Sequence, residues 1–234
     1  IGFFHNPPNV PAWFDSYNAP QAVIQRPSFV QSLKYCKCLI ALSDYLAGWL
    51  EERLDVPVIS VKHPTMIPKN KWNKNLFFQQ RQTPVIQIGY WLRDLLAIRN
   101  LKCNHFYEKM WLPSDLEYAL TLVEIQERHT LDKYEKQHTW SGVTMLGRIP
   151  DSQYEDLMNR CVVFLKMYDS SANNAVIECI ARNTPILINK ITPVVEYLGE
   201  DYPFYFKDMQ DAQDKLHDKQ MIINAHEYLK NMDK

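Results

Sequence analysis

Short apolar runs alternate with segments of helical period along most of this chain. Ile1-Gly2-Phe3-Phe4 reads as a strand, followed by a Pro/Asn loop, His5-Asn6-Pro7-Pro8-Asn9. Phe29, Leu33 and Cys36 form a helical stripe, and Cys38 to Leu42 a buried strand. Ser43 or Asp44 suits the cap of a helix reaching about Leu54, and Val56 to Val61 is another strand. From His63 to Thr83 the chain turns polar and carries Pro64, Pro68 and several Lys and Asn, the composition of a linker.

The rhythm then resumes. Pro84 to Ile88 is a strand ending at Gly89, and a helical or loop segment follows with Arg93 and Arg99. Lys102 to Ser141 is the least informative stretch, with Asp115 to Arg128 reading as helix. Val143 to Leu146 is a strand ending at Gly147, and Tyr154, Leu157, Met158 and Cys161 share one helix face. Val162 to Leu165 predicts a strand, Ala172 to Arg182 a helix, Pro185 to Ile188 a strand. Val194 to Leu198 follows as a short helix and Phe204 to Phe206 as a last strand. Beyond Asp208 a polar helix aligns Ile222, Ala225, Leu229 and Met232. Repeated β-α-β units of this length predict an α/β fold with a parallel sheet, whose ligands collect at the carboxyl ends of the strands.

Composition narrows the choice. Only six of 234 residues are glycine, against fourteen prolines, well below the usual glycine share of roughly 7%. Neither G-x-G-x-x-G nor a P-loop is present, so any phosphate site must use another backbone device. Charge is balanced, 26 Lys+Arg against 27 Asp+Glu, and no basic run suggests nucleic acid. No apolar stretch reaches the roughly 18 residues of a membrane span. Five cysteines without framework spacing point to a reduced, cytoplasmic protein. Cys36 and Cys38 lack a second ligand pair, so no metal is expected. A chain opening on Ile1 within an apolar segment reads as a fragment or a processed form.

Chemistry concentrates between Tyr168 and Ile188, after a buried strand and hence on the ligand edge. Ser170 or Ser171 is placed to cap the helix. The N–H groups from Ala172 through Asn173 and Asn174 to Ala175 would then form an anion site with the positive end of the helix dipole. Glu178 lies one turn deeper than Asn174 on the same face, where a carboxylate suits a ribose diol. An ordinary capped helix with an incidental Glu is the plainer alternative.

This window resembles the nucleotide-sugar loop of GT-B glycosyltransferases of the family-4 kind. Glu178-Cys179-Ile180-Ala181-Arg182-Asn183-Thr184-Pro185-Ile186 is similar to the family's E-A-x-A-x-G-x-P-[VI] helix, with Asn183 where Gly is usual. Met145-Leu146-Gly147-Arg148-Ile149-Pro150 resembles the segment whose backbone, at Arg148 and Ile149, flanks the nucleobase. Pro193-Val194-Val195-Glu196 resembles the segment ending in a Glu near the donor pocket. The likeness runs from about Val143 to Phe206 and is weaker from Ile1 to Thr65. There His5 resembles the N-domain histidine that contacts the donor sugar; packing within its loop is the alternative. The family's first acid falls at Ser170, with Asp169 one place before, which puts sugar handling in question. The family's diphosphate-neutralising Arg falls at Arg93, after Gly89, with Arg99 a poorer match. A solvated helix position is the other reading of Arg93.

The resemblance implies a GT-B-like fold, a Rossmann-like parallel-sheet domain preceded by part of a second one. Residues 1–65 would be the end of the N-terminal domain, 66–83 a linker, 84–206 the nucleotide-sugar domain and 207–234 a C-terminal helix. It implies a glycosyltransferase of hexosyl type, retaining, with a nucleoside-diphosphate sugar as donor and no other cofactor. The acceptor is undefined. Absence of a D-x-D motif points away from metal-dependent GT-A chemistry. His5 and Arg93 are the expected catalytic residues. Donor binding is expected at Gly89, Arg148, Ile149, Ser170, Ser171, Asn173, Asn174, Ala175 and Glu178. A non-catalytic GT-B-like binding or assembly module and a nucleotide-sugar enzyme such as an epimerase are the competing readings.

Overall fold

The computed structural model describes residues 1–15, 17–130 and 140–233. Among these, every strand pairs in parallel with its neighbours, in two sheets. The first lobe runs β1 (Gly2–Phe4), α1 (Ala12–Asp15), α2 (Pro20–Val23), α3 (Pro27–Leu33), β2 (Leu39–Ala41), α4 (Asp44–Glu51) and β3 (Val58–Ser60). Its sheet order is β1-β2-β3. α2 and α3 each begin on a proline, whose fixed φ and missing N–H suit a first turn. Ser43 starts α4 by accepting the Leu46 N–H at 3.2 Å. That helix then buries Leu46, Ala47 and Leu50 against Ala41.

The second lobe continues with α5 (Lys74–Gln79), β4 (Thr83–Ile88), α6 (Ala97–Asn100), β5 (Tyr107–Leu112), α7 (Leu116–Thr130), β6 (Val143–Met145) and α8 (Asp151–Met158). It then adds β7 (Val162–Leu165), α9 (Asn174–Arg182), β8 (Ile186–Asn189), α10 (Thr192–Leu198), β9 (Tyr205–Phe206), α11 (Met209–His217) and α12 (Lys219–Asn231). The sheet order is β6-β5-β4-β7-β8-β9. Counted within this lobe, that is third-second-first-fourth-fifth-sixth, the doubly wound order of dinucleotide-binding folds. Its central strands are apolar along nearly their whole length because both faces are covered; β7 is buried throughout.

Three departures from the sequence reading have physical causes. β5 is absent from the strands that the sequence pattern predicts, because Glu108 and Lys109 interrupt its apolar run. Lys109 sits in the strand because its Nζ donates to the carbonyls of Arg99 (2.8 Å) and Leu101 (3.1 Å), and burial holds its pKa down. Part of the same stretch, 131–139, lies outside the described residues. Within the expected linker 66–83, Trp72 is 3% exposed and packs into the core of the second lobe. Its indole N–H donates to the Cys161 carbonyl (2.9 Å), and Asn73 caps α5. Finally, the terminal helix is two helices. Asp218 ends α11 and caps α12 by accepting the Gln220 N–H at 2.8 Å.

Candidate functional site

The chain leaves β4 toward β5 and leaves β7 toward β8, so the crevice between their carboxyl ends is the topological switch point. Two segments meet there: Gly89 to Asp94 after β4, and Lys166 to Asn173 before α9. Arg93 and Met167 bridge them as an isolated antiparallel pair. The first segment turns sharply, with Gly89 at φ 73° and Leu92 at φ 54°. A leucine held in that region carries local strain, of the kind that gathers at binding sites. The turn folds Arg93 back over Gly89.

Arg93 is 9% exposed, not solvated. Its guanidinium donates from Nη1 to the Trp91 carbonyl (2.6 Å) and from Nη2 to Asn173 Oδ1 (3.4 Å), while Nε finds no acceptor among the described residues. No carboxylate pairs with it among the described residues. Burial pushes its pKa down to about 10, so it stays charged at neutral pH. A buried cation without an anion is costly unless a ligand supplies one. Gly89 is required beside it, since a Cβ there would meet Arg93 Cζ at 3.1 Å. Gly89→Ala should therefore lower stability by about 1–2 kcal/mol through the positive φ alone and displace Arg93. A thermal melt with and without nucleotide reads both effects. Trp111 holds the turn from below, its indole N–H donating to the Gly89 carbonyl at 3.1 Å.

The start of α9 corrects the expected cap. Asn173, not Ser170 or Ser171, is the N-cap, and its Oδ1 accepts the N–H groups of Ala175 (3.0 Å) and Val176 (3.3 Å). The Ala175 N–H is thus occupied by the protein. Those of Ala172, Asn173 and Asn174 have no acceptor among the described residues. Ser170 Oγ turns to the Ser171 carbonyl (3.3 Å), and Ser171 Oγ meets Ser43 Oγ of the first lobe at 2.8 Å. At the far end of α9, Asn183 stands at φ 59°, the left-handed cap for which glycine is usual.

Glu178 accepts a hydrogen bond from the Tyr154 hydroxyl and lies 3.8 Å from Arg182 Nη1. Tyr154 also faces a hollow of about 220 Å³ lined by Ile88, Gly89, Leu112, Arg148 and Ile149. Arg148 stands exposed on its rim and Ile149 is half-buried. Arg99, in contrast, is elsewhere: it is buried on α6, paired with Glu127 at 2.7 Å and facing the Trp140 ring.

A larger cleft of about 570 Å³ opens between the lobes, lined by His5, Asn6, Asp15, Trp91, Asp169 and Ser170 among others. His5 is exposed on its edge. Asp169 is committed across the cleft, accepting the Asn9 N–H (2.9 Å) and the Tyr45 hydroxyl (3.1 Å) as well as the Ser170 N–H (2.8 Å). Burial raises its pKa and these donors hold part of that rise back. Glu196 does not line the cleft. Its two carboxylate oxygens accept the N–H groups of Asp44 (2.8 Å) and Tyr45 (2.9 Å), capping α4 of the other lobe. Among the described residues no group of three or more His, Cys, Asp or Glu is placed to hold a metal. No described helix is long and apolar enough to cross a membrane.

Two lobes of parallel β-α-β units, facing a cleft at the carboxyl ends of the second sheet, define the GT-B fold of glycosyltransferases. HepE of Anabaena, solved with UDP-glucose, superposes with TM-score 0.66 at 13% identity over 97% of this chain and 65% of its own. TarM of S. aureus, in a complex that includes UDP, gives TM-score 0.64 at 14% identity, covering 98% of this chain and 45% of TarM. A glycosylation-associated protein complex, Gap123 of Streptococcus agalactiae, gives TM-score 0.51 at 12% identity over 87% and 43%. The chain thus spans less than two thirds of each of these structures. No family model matches the sequence, and no curated protein does.

Proposed function

We propose that this chain forms the donor-binding part of a glycosyltransferase that moves a hexose from a nucleoside-diphosphate sugar to an acceptor, without a metal and with retention at the anomeric carbon. One observation carries the reading: Arg93, buried and unpaired with any carboxylate among the described residues, lies at the switch point against Gly89, which lines one hollow, and Asn173, which lines the other. A diphosphate there supplies the missing anion. Its oxygens reach the guanidinium and the unoccupied N–H groups at the start of α9. The ribose sits by Glu178 and the base against Arg148 and Ile149, leaving the interlobe cleft with His5, Ser170 and Ser171 for the sugar. When the anomeric C–O bond breaks, its electron pair departs on the diphosphate, where Arg93 stabilises the charge. The acceptor oxygen forms the new bond to the anomeric carbon, and its proton passes to the leaving phosphate. The UDP complexes of HepE, TarM and the pneumococcal enzyme GtfA favour a uridine nucleotide.

The test is a thermal-shift panel of UDP, GDP and ADP sugars. A ligand at about 100 times its Kd adds about 2.7 kcal/mol to stability, a rise of several degrees. Glu178→Ala should remove most of that rise and leave the unliganded Tm within a few degrees, because Arg182 keeps Glu155 as its partner. Transfer that persists in EDTA supports metal independence. A panel with no shift at all contradicts the reading.

A second reading, a non-catalytic binding module on this scaffold, is favoured by the cleft itself. Ser170 stands where the family places an acid, and Asp169 beside it is spent on the first lobe. The Gap123 complex is a glycosylation-associated neighbour of the same fold. Donor hydrolysis or sugar transfer that Arg93→Ala abolishes decides for the enzyme.

A further inference from the structure

Tyr154 stands out because its hydroxyl is directed at one carboxylate, Glu178, from a different helix. The residue begins its approach on α8, packs against the core of the second lobe and lines the 220 Å³ hollow with Arg148 and Ile149. The Arg182 guanidinium lies over its ring, 5.8 Å from the centroid. Arg182 in turn is held by Glu155 and lies 3.8 Å from Glu178. Glu178 is therefore held at one oxygen, Oε2, by the Tyr154 hydroxyl as donor and by the Arg182 charge at 3.8 Å, while Oε1 has no protein partner among the described residues. A phenol carries a single proton, and burial beside the Glu178 charge keeps it on Tyr154 at all working pH. Tyr154 thus serves Glu178 as a permanent donor and presents no O–H to a ligand.

We infer that Tyr154 is a positioning residue for ribose recognition: its hydroxyl locks the Glu178 carboxylate in the orientation that leaves Oε1 to accept a vicinal diol, and so makes the site select ribonucleotides over deoxyribonucleotides. This rests on the nucleotide-sugar reading of the same site. The physical basis is pre-organisation. A free glutamate side chain must be ordered when it binds, whereas one already clamped keeps the full strength of its charge-assisted bonds.

Calorimetric titration of the protein with UDP, GDP and ADP and with their 2′-deoxy counterparts tests the inference. For the base that binds, the deoxynucleotide should bind the wild type about tenfold or more weakly, the loss of one hydrogen bond to a charged acceptor. Tyr154→Phe removes one oxygen. It should lower ribonucleotide affinity and bring the two sugars to within about twofold of each other, with deoxynucleotide affinity nearly unchanged. Glu178→Gln should do the same, and the double variant no more than either single change, since both act through one contact. Circular dichroism at the titration temperature establishes that each variant is folded; if Tyr154→Phe is not, discrimination surviving in Glu178→Gln overturns the proposal by itself. Unchanged ribose selectivity in folded Tyr154→Phe, or additive losses in the double variant, also overturns it while leaving the nucleotide site standing. No binding of any nucleotide to the wild type removes the underlying reading instead.

Discussion

Replacing Arg93 by methionine should abolish nucleotide-induced stabilisation while leaving the unliganded protein as stable as before, or more so by about 1 kcal/mol. The two effects have opposite signs for one reason. Arg93 is desolvated, and among the described residues its Nε lacks an acceptor and no carboxylate balances its charge. In the free protein that arrangement opposes folding, and an apolar side chain of similar length fills the space without the charge. In the proposed complex the same guanidinium would meet the diphosphate. Hydrogen bonds to a charged group contribute about 1.5–3 kcal/mol each, so losing two lowers affinity by roughly a hundredfold or more. Melting curves of both proteins, with and without UDP, GDP or ADP, give both numbers. A variant that melts several degrees lower without ligand, yet keeps its full shift, identifies Arg93 as a structural residue.

Trp72→Ala should destabilise the second lobe by about 3–5 kcal/mol, the usual effect of emptying a buried tryptophan site. Its ring packs against Phe77 at 5.0 Å and His226 at 4.6 Å between centroids. Its backbone N–H donates to the Arg182 carbonyl at 2.9 Å, the last residue of α9. The segment before β4 therefore anchors the far end of the helix whose start is the proposed diphosphate site. Denaturant titration measures the change. A loss below about 0.5 kcal/mol is what an exposed linker residue would show, and it would place Trp72 outside the core.

How far the fold could be read depended on how completely each element obeyed its own period. β7 and β8 were plain because strands covered on both faces are unbroken apolar runs, Val162 to Leu165 and Ile186 to Ile188. β5 was hidden by Lys109, whose burial depends on two carbonyls at the end of α6 and just beyond. Trp72 and Phe77 were hidden among lysines and asparagines that face solvent. The site shows the same division. The window around α9 declared itself through Asn173, Glu178 and Asn183, but three cap-forming residues stand close together there, and only tertiary contact selects among them. Ser171 is drawn away by Ser43 of the other lobe, leaving Asn173 to cap. Arg93 was located by its place after Gly89, yet its burial follows from a turn with positive φ at Gly89 and Leu92, and Leu92 carries no sequence signal for it. Tyr154 and Glu178 lie on helices flanking β7, so their contact exists only once the sheet has formed. The role of Glu196 was misplaced for a related reason: its partner helix belongs to the other lobe.

The proposed function requires a nucleoside diphosphate to bind at the switch point between β4 and β7. A crystal structure of the protein grown with the best-binding nucleotide of the UDP, GDP and ADP panel tests it most directly. Phosphate oxygens should lie within hydrogen-bonding distance of the Arg93 guanidinium and the N–H groups at the start of α9, with the ribose hydroxyls on Glu178. A nucleotide bound elsewhere, with Arg93 still facing only Trp91 and Asn173, would contradict it.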